Sequence, residues 1–342
     1  MKPVIFGFPG KSLTAEEKTF FSEAKPFGFI LFQRNIANPD QVRRLLDEAR
    51  SALGRPDVPF FIDQEGGRVS RLKPPHWPPL PAQRIIGKLY EADAGRGLEA
   101  MRIHARIAAR RLYDLGITCN CAPVLDLLVD GATGAIGDRA FSRNADAVAA
   151  LGRVAVETYL ANGVVPVIKH MPGHGRAMAD PHETLPFVDC PRRILEAEDF
   201  KPFRILQDAP AGMNCHVVFS SIDPGRPVSL SRRAHDEIIR GELGFRGLLL
   251  SDDIAMKALE GSMSENARQA LESGADIVLH CSGDLDEMRD VAMALPEISE
   301  VAITRWEQAG SQAAVPTDDF DEARELAYFD IVVQGQERSA TL

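Results

Sequence analysis

The sequence predicts a single (β/α)8 barrel, an α/β fold in which eight parallel strands are surrounded by helices. The strand-like runs are continuously apolar, helical stretches separate them, and eight such runs occur along the chain. Continuous apolar strands indicate a parallel sheet covered on both faces, and eight strand–helix repeats match barrel closure. An open doubly wound sheet is the alternative. That fold typically has a Gly-rich first turn, which Pro9-Gly10-Lys11-Ser12 does not provide.

The eight predicted strands are short runs rich in β-branched and aromatic residues. They are Val4–Phe8, Phe27–Phe32, Pro59–Ile62, Ile117–Ala122, Val165–Ile168, Gly212–Val217, Gly247–Leu250 and Ala275–Leu279.

Helical patterns fill most of the gaps between these strands. Thr14 with Glu17 three residues later predicts a capped helix start, and Pro39–Leu53 predicts a helix that ends at Gly54. Further helices are predicted over about 93–115, 145–162, 191–208, 231–243, 263–273 and 284–295. We expect the catalytic barrel to span residues 1–310. Residues 311–342 are expected to form an acidic helix and tail, packed on the barrel or frayed from it.

The composition is that of a folded, water-soluble protein with 45% hydrophobic residues. A net charge of −10 argues against nucleic acid or an anionic membrane as a partner, because both need a basic surface. The first ten residues lack a signal-peptide core, no long apolar stretch occurs, and the five Cys fit buried thiols. These features predict a cytoplasmic protein with no obligate protein partner.

Polar residues that could react fall where the predicted strands end. In a (β/α)8 barrel these ends meet on one face, which is where active sites are built. The residues concerned are Asp63, Asp126, Lys169, His170, His216, Asp252 and Asp253.

The segment 169–184 is the longest polar loop at this face and contains His170, His174 and His182. Asp180 and His182 lie two residues apart, and Pro181 favours extended backbone at Asp180, so both side chains project to one side. A carboxylate beside an imidazole can orient the ring and stabilise its protonated form, which suits proton transfer. From spacing alone, however, the three histidines are equally eligible.

A retaining glycosidase needs a carboxylate nucleophile opposite a proton donor, and Asp252 at a strand end is the candidate nucleophile. Asp253 is expected to point away and cap the following helix. Asp63 and the arginines that follow it can clamp sugar hydroxyls. Glu65 and Arg68 are instead expected to form an internal ion pair that supports their turn.

Four motifs in order along residues 4–290 resemble glycoside hydrolase family 3, specifically its NagZ-type β-N-acetylglucosaminidases. They are Ile62-Asp63-Gln64-Glu65-Gly66-Gly67-Arg68-Val69, Ala122-Pro123-Val124-Leu125-Asp126, Lys169-His170-Met171-Pro172-Gly173-His174-Gly175 with Asp180-Pro181-His182, and Ser251-Asp252-Asp253-Ile254-Ala255-Met256.

This resemblance implies removal of N-acetylglucosamine from 1,6-anhydro-muropeptides during cell-wall recycling, without a cofactor or metal. It implies that Asp252 is the nucleophile and that His182, paired with Asp180, is the acid/base. The residues it implies for sugar binding are Asp63, Arg71, Arg139, Lys169, His170 and His216. The family usually has Ser or Thr where this chain has Pro181, which we expect to restrict the loop.

Three alternatives stay open. His170, His174, His182 and Asp252 could ligate Zn²⁺ in a metal-dependent hydrolase, although Pro172, Gly173 and Gly175 argue against a helix there. A sugar-binding barrel without activity is another. Within the enzyme class, a phosphorylase is the main competitor, because a His donor does not repel an incoming phosphate as a carboxylate would.

Overall fold

In the computed structural model, which describes residues 1–334, eight parallel strands close into a barrel. The strands follow chain order around the barrel, and the eighth pairs with the first. Closure excludes the open sheet, so the predicted (β/α)8 class is confirmed. The strands are β1 (Lys2–Gly7), β2 (Pro26–Leu31), β3 (Phe60–Ile62), β4 (Cys119–Asn120), β5 (Val165–Met171), β6 (Ala211–Asn214), β7 (Leu248–Asp253) and β8 (Ile277–His280).

Helices surround the barrel and bury their apolar sides against the outer faces of the strands. The α-helices are α1 (Ala15–Ala24), α2 (Pro39–Leu53), α3 (Gln83–Ala92), α4 (Ala94–Leu115), α5 (Ala145–Ala161), α6 (Arg192–Ala197), α7 (Phe200–Ile205), α8 (Met263–Ser273), α9 (Leu285–Ala294), α10 (Glu300–Gln312) and α11 (Glu322–Gln334). Ala234–Glu242 is π-helical, and short 3-10 turns cover Gln33–Asn35, Gly137–Arg139 and Val228–Leu230.

Local capping explains several helix boundaries. Thr14 and Glu17 form the predicted capping box at the start of α1. Asn38 accepts a hydrogen bond from Gln41 at the start of α2, and Gly54 ends that helix with a φ of 63°. These two helix starts and the end of α2 are therefore encoded within a few residues of sequence.

Three predicted elements differ most from the structure. The helix predicted over 191–208 is broken into α6 and α7, because Pro202 has no N–H to bond the carbonyl of Glu198. Strand β4 is only two residues long, since the Ala122 amide bonds back to Asn120. The sixth predicted strand ends early at Asn214. Val218–Phe219 then pairs with Phe187–Val188 outside the barrel.

The barrel interior is packed with apolar side chains and is closed at its N-terminal end by α10. Trp306 of this helix lies edge-on to Phe27, with ring centroids 5.3 Å apart, and also contacts Phe61. Ala302 and Ala309 of the same helix are buried in the interior cluster. This packing leaves the C-terminal end of the barrel as the open end.

The chain beyond α10 returns along the outside, and α11 packs against α4. The predicted polar end at 339–342 lies outside the described residues. All five cysteines are buried and unbridged. Within residues 1–334 no helix combines the length and apolar character needed to cross a bilayer.

Replacement of Trp306 by Ala should destabilise the barrel. We expect Trp306→Ala to lower the free energy of unfolding by about 2–4 kcal/mol, because it removes the aromatic group that covers the barrel interior. Urea unfolding would measure the change. Val301, on the exposed side of α10, is the matched control, and Val301→Ala should stay within about 0.5 kcal/mol. Equal losses in the two variants would contradict the role given to Trp306.

Candidate active site

A cavity of about 340 Å³ opens at the C-terminal end of the barrel. Every predicted site residue except His216 lines it. Those residues are Asp63, Arg71, Arg139, Lys169, His170, Asp180, His182 and Asp252. Apolar side chains complete the wall, as is typical of small-molecule sites. They are Ile30, Phe32, Val69, Ile136, Met213, Met256 and Leu279.

The floor of the cavity is built around the ammonium group of Lys169. Strand β5 extends past its predicted end at Ile168 to Met171, which carries Lys169 into the barrel. The Lys169 Nζ lies 2.7 Å from Asp63 Oδ1 and 2.7 Å from Glu65 Oε1. Arg71 completes the clamp on Asp63, with its Nη2 3.1 Å from Oδ2.

Glu65 does not pair with Arg68, so that prediction was wrong. Both carboxylate oxygens of Glu65 accept from Arg139, each at 2.8 Å. Arg68 turns outward to Asp138 at 2.8 Å. The reason is burial: Glu65 lies inside the barrel wall, where a bidentate arginine and a lysine compensate for its lost hydration.

Burial alone would raise the pKa of Asp63 and of Glu65. Lys169 and Arg71 outweigh this effect at Asp63 and hold its pKa well below the ordinary value. Arg139 and Lys169 lower the pKa of Glu65 to about 2. Burial opposes the charge of Lys169 as well, but the two carboxylates raise the pKa of its ammonium. All three groups are therefore charged at neutral pH.

His170 is oriented by Asp126, a buried carboxylate whose supporting role the sequence analysis did not identify. Asp126 Oδ2 lies 2.6 Å from His170 Nδ1, and Oδ1 accepts the amides of His170 and His174. The other ring nitrogen of His170 faces Arg139 at 3.5 Å. Burial and the neighbouring His170 lower the pKa of His174 to about 4, so its ring is neutral.

Asp252 lies near the end of β7 with its side chain almost fully buried at the cavity wall. Its amide donates to Asn214 Oδ1 on the neighbouring strand, at 3.3 Å. Burial would raise the pKa of Asp252, but His170, His216 and the Asp253 amide hold it below the ordinary value. The carboxylate is therefore ionised and rigidly placed.

Asp253 does not cap the following helix, so that prediction was wrong. Its Oδ1 accepts the amides of Ala255 and Cys281, each at 3.0 Å, and α8 is capped instead by Ser262. A turn, rather than a helix, follows β7. The hydrogen bond from Cys281 joins Asp253 to the residue that follows β8. Burial raises the pKa of Asp253 to about 6.

His216 does not line the cavity and lies behind the Asp252–Asp253 pair. Its Nδ1 is 2.6 Å from Ser229 Oγ, and its Nε2 is 2.9 Å from the carbonyl of Asp253. Both ring nitrogens are occupied by protein groups. In this arrangement His216 supports the strand end that carries Asp252.

We call segment 169–184 the histidine loop. Its first half is anchored to the barrel. Arg176 Nε lies 2.6 Å from the buried Asp199, and the Ala177 amide bonds the carbonyl of His174. Gly175 packs so tightly on the backbone of Leu127 that a Cβ there would lie 2.2 Å from the Leu127 oxygen. These contacts restrict the loop up to residue 177.

The second half of the loop carries His182 to the rim of the cavity, where its side chain is 67% exposed. His182 Nδ1 is 2.8 Å from Asp180 Oδ1, which leaves Nε2 for a ligand. The pKa of Asp180 is lowered because the amide and ring of His182 outweigh its partial burial. The Pro181 carbonyl accepts the amide of Ala258, so this rim contacts the segment that follows Asp252.

A metal-dependent hydrolase would use His170, His174 and His182, together with Asp252, as ligands to Zn²⁺. In the described part of the chain, residues 1–334, no three His, Cys, Asp or Glu side chains converge in a geometry that could hold a metal ion. His170 Nδ1 faces Asp126, and the ring of His182 lies on the exposed rim. The residues present do not fit the tetrahedral set that a zinc hydrolase requires.

The site thus combines an ionised carboxylate in the wall, an imidazole–carboxylate pair on the rim and a charged clamp on the floor. A sugar ring held by the clamp would place its hydroxyls against Asp63 and the arginines. A group leaving through the open side would pass His182. Such a set can attack an anomeric carbon from one side and move a proton on the other.

A family model described as the Glycosyl hydrolase family 3 N terminal domain matches residues 8–309. A β-hexosaminidase of Alkalilimnicola ehrlichii is 38% identical over 284 residues, 82% of this chain and 80% of the relative. One of Xanthomonas axonopodis pv. citri is 36% identical over 286 residues, 82% of this chain and 84% of the relative.

Solved structures give the same picture. NagZ from Neisseria gonorrhoeae, in complex with N-trifluoroacetyl-D-glucosamine, aligns with a TM-score of 0.83 and 31% identity over 98% of this chain and 96% of its own. A family 3 β-N-acetylglucosaminidase from Paenibacillus sp. str. FPU-7 aligns with a TM-score of 0.85 and 29% identity, covering 97% of this chain and 67% of its own.

Replacement of Glu65 by Gln should destabilise the protein in a pH-dependent way. At pH 7 we expect Glu65→Gln to cost about 3–5 kcal/mol, because Lys169 and Arg139 lose a buried partner. The pKa of Glu65 is lower in the folded chain, so its stabilisation is full above its ordinary pKa of 4.5 and is lost as pH falls towards about 2. The gap between wild type and variant should therefore narrow from pH 5 to pH 3.

Urea unfolding at several pH values measures this gap. Glu16→Gln is the control, since the Glu16–Arg289 pair is on the surface and its loss should leave the stability nearly unchanged at every pH. A gap for Glu65→Gln that stays constant down to pH 3 would show that the carboxylate is not held by these cations.

Proposed function

Because the chain belongs to glycosyl hydrolase family 3, we propose that it is a retaining exo-β-N-acetylglucosaminidase. It is a glycoside hydrolase of the β-N-acetylhexosaminidase type, as its curated relatives are. We propose 1,6-anhydro-muropeptides in cytoplasmic cell-wall recycling as the substrate and setting, on the resemblance of the sequence motifs.

One observation carries the proposal: an ionised, buried Asp252 and an exposed His182–Asp180 pair line the same cavity. In the first step Asp252 attacks the anomeric carbon and His182 donates a proton to the departing oxygen. In the second step His182 takes a proton from water, which attacks the glycosyl-enzyme and releases the sugar. Asp180 stabilises the protonated imidazole before the first step and after the second.

The floor of the cavity supports recognition of a single terminal sugar. Asp63 presents a carboxylate held by Lys169 and Arg71, and charged acceptors of this kind bind sugar hydroxyls strongly. Arg71 also lines the cavity, so its guanidinium group can donate to the same hydroxyls. With its far end filled by barrel side chains, the cavity favours exo cleavage.

Hydrolysis is favoured over phosphorolysis by the charges around the cavity. Within the described residues, each lysine and arginine that lines it lies within salt-bridge distance of a carboxylate. Asp252 and Asp253 add negative charge at the point of attack. A phosphate acceptor would need a cation that these pairs do not leave free. Water meets no such requirement.

Two variants should separate the roles of nucleophile and acid/base by product stereochemistry. Asp252→Ala should lose on the order of 10⁴-fold in kcat, and His182→Ala about 10²–10⁴-fold. With azide and an activated aryl N-acetylglucosaminide, Asp252→Ala should give the α-azide by direct displacement. His182→Ala should give the β-azide, because azide attacks the glycosyl-enzyme without needing a base. NMR of the products reads the configuration.

The matched control is His174→Ala, since His174 also lines the cavity but its ring is neutral and buried. It should not yield the β-azide faster than wild type. Near-wild-type turnover by Asp252→Ala, or the same anomer from both variants, would show that the roles are assigned to the wrong residues.

The product formed in phosphate buffer tests the reaction itself. We expect wild-type protein to release free N-acetylglucosamine from the p-nitrophenyl glycoside, with phosphate leaving the rate within about twofold, because no cation is free to bind it. Chromatography distinguishes the free sugar from N-acetylglucosamine 1-phosphate. A main product of N-acetylglucosamine 1-phosphate would make the enzyme a phosphorylase. No product with either acceptor would remove the proposed activity.

A further inference from the structure

The acidic C-terminal segment, which the proposed mechanism does not use, is held on a row of arginines of α4. We call residues 315–334 the C-terminal arm. Asp318 binds Arg106 and Arg110, the latter at 2.8 Å, and both guanidinium groups lie over the ring of Phe320. Glu325 adds a second contact to Arg106 at 2.7 Å. The arm is therefore a specifically docked part of the structure.

The last turns of the arm are fixed as well. The side chain of Phe329 is buried, and its ring centroid lies 6.5 Å from that of His104 on α4. Arg96 donates to the carbonyls of Val332 and Val333, both at 3.0 Å, near the C-terminal end of α11. A cation there satisfies the free carbonyls and complements the helix dipole.

Arg111 joins the arm to a different part of the molecule. Its side chain is 2% exposed. One nitrogen donates to Glu322 of the arm at 2.7 Å, and another donates to the carbonyl of Pro78 at 2.8 Å. His104, two turns earlier on the same face of α4, contacts the carbonyl of Pro81 at 3.1 Å. Both carbonyls belong to the Pro-rich segment 74–82.

This Pro-rich segment supports the turn formed by residues 66–69 at the active site, which we call the glycine turn. The Gly67 amide donates to the carbonyl of Leu80 at 2.8 Å. Gly66 has a φ of 104°, and a Cβ there would lie 2.2 Å from the Pro81 oxygen and 2.7 Å from His104 Nε2. Only glycine can pack this closely, so the position of the turn depends on that of the segment beneath it.

The glycine turn holds the sugar-binding clamp at its two ends. Asp63 and Glu65 precede the turn, and Arg71 follows it. The Glu65 amide bonds the Val69 carbonyl at 3.0 Å, and Gln64 Oε1 accepts the amides of Arg71 and Leu72 at 2.9 and 3.0 Å. A shift of the turn would thus move Asp63 and Arg71 relative to Lys169.

We propose that Arg111 is a positioning residue through which the C-terminal arm holds the Asp63–Arg71 turn in its sugar-binding geometry. The proposal rests on the proposed function for its kinetic readout. Without Arg111, the Pro-rich segment loses its hydrogen-bonded link to the arm and keeps only the contact through His104. The turn then samples positions in which the clamp is misaligned. Because Asp63 and Arg71 bind parts of the sugar that do not react, KM should rise while kcat changes little.

Arg110 and Arg111 provide a matched pair on the same helix. Both bind the arm. Within residues 1–334, Arg110 hydrogen-bonds only to Asp318 and lies over Phe320, whereas Arg111 also donates to Pro78 of segment 74–82. We expect Arg111→Met to raise KM for the p-nitrophenyl N-acetylglucosaminide about fivefold or more, with kcat within about twofold. Arg110→Met should leave both constants near wild type. Arg111→Lys should have a KM between those of wild type and Arg111→Met, because an ammonium can still donate to the Pro78 carbonyl.

Hydrogen–deuterium exchange gives a readout that needs no substrate. The Gly67 amide should exchange about tenfold faster in Arg111→Met than in Arg110→Met, because its acceptor Leu80 is no longer held in place. If Arg111→Met does not fold, Glu322→Gln weakens the same contact from the arm and should shift KM and Gly67 exchange in the same direction.

The proposal is overturned if Arg111→Met and Arg110→Met raise KM equally, since that outcome reports general destabilisation. It is also overturned if Gly67 exchange is unchanged in a folded Arg111→Met. An inactive wild type in which Arg111→Met still accelerates Gly67 exchange would remove the proposed function but leave the positioning role intact.

Discussion

The arrangement of the site depends on one buried cation, the ammonium group of Lys169. It lies 2.7 Å from a carboxylate oxygen of Asp63 and from one of Glu65, with only 3% of its side chain exposed. An unpaired charge at that depth would cost several kcal/mol, so the two carboxylates are fixed relative to each other. Glu65 in turn fixes Arg139, and Arg139 faces His170. Strands β3 and β5 and the turn around Arg139 are therefore joined electrostatically.

A rigid floor and a partly exposed rim suit the two tasks of glycoside cleavage. Attack on an anomeric carbon requires a carboxylate at a fixed distance and angle, and Asp252 lies at the end of a buried strand with backbone and amide contacts. Proton transfer tolerates more freedom, because the proton donor follows the departing oxygen outward. The histidine loop is anchored up to residue 177 and then rests on Ala258 through one backbone hydrogen bond. The loop thus has a fixed base, and the buried Pro181 joins its far end to the segment that follows Asp252.

The fold could be predicted from the sequence because its signals are local and repeated. Eight apolar runs, the Thr14 and Gly54 caps and the turn residues each act within a few positions of the chain. The partners of Glu65 could not be predicted, because Arg139 is 74 residues away and burial, rather than spacing, decided between it and Arg68. The same holds for Asp126, and for Asp253, whose amide partner Cys281 directly follows the next strand. Contacts between residues on different strands cannot be predicted until the fold that brings those strands together is known.

Burial also separates the three histidines that spacing left equivalent, and it does so without reference to any relative. His174 is enclosed, with its pKa lowered to about 4, so it cannot hold a proton for a leaving group at neutral pH. His170 is committed on one side to Asp126 and faces Arg139 on the other, so neither ring nitrogen is directed at the open side of the cavity. Of the three, His182 alone has an exposed ring. Asp180 lies on its Nδ1, and its Nε2 is left for a ligand. A leaving group departs through the open side of the cavity, and the donor that serves it must lie there. The physical chemistry of the site therefore favours the same histidine that the sequence motif does.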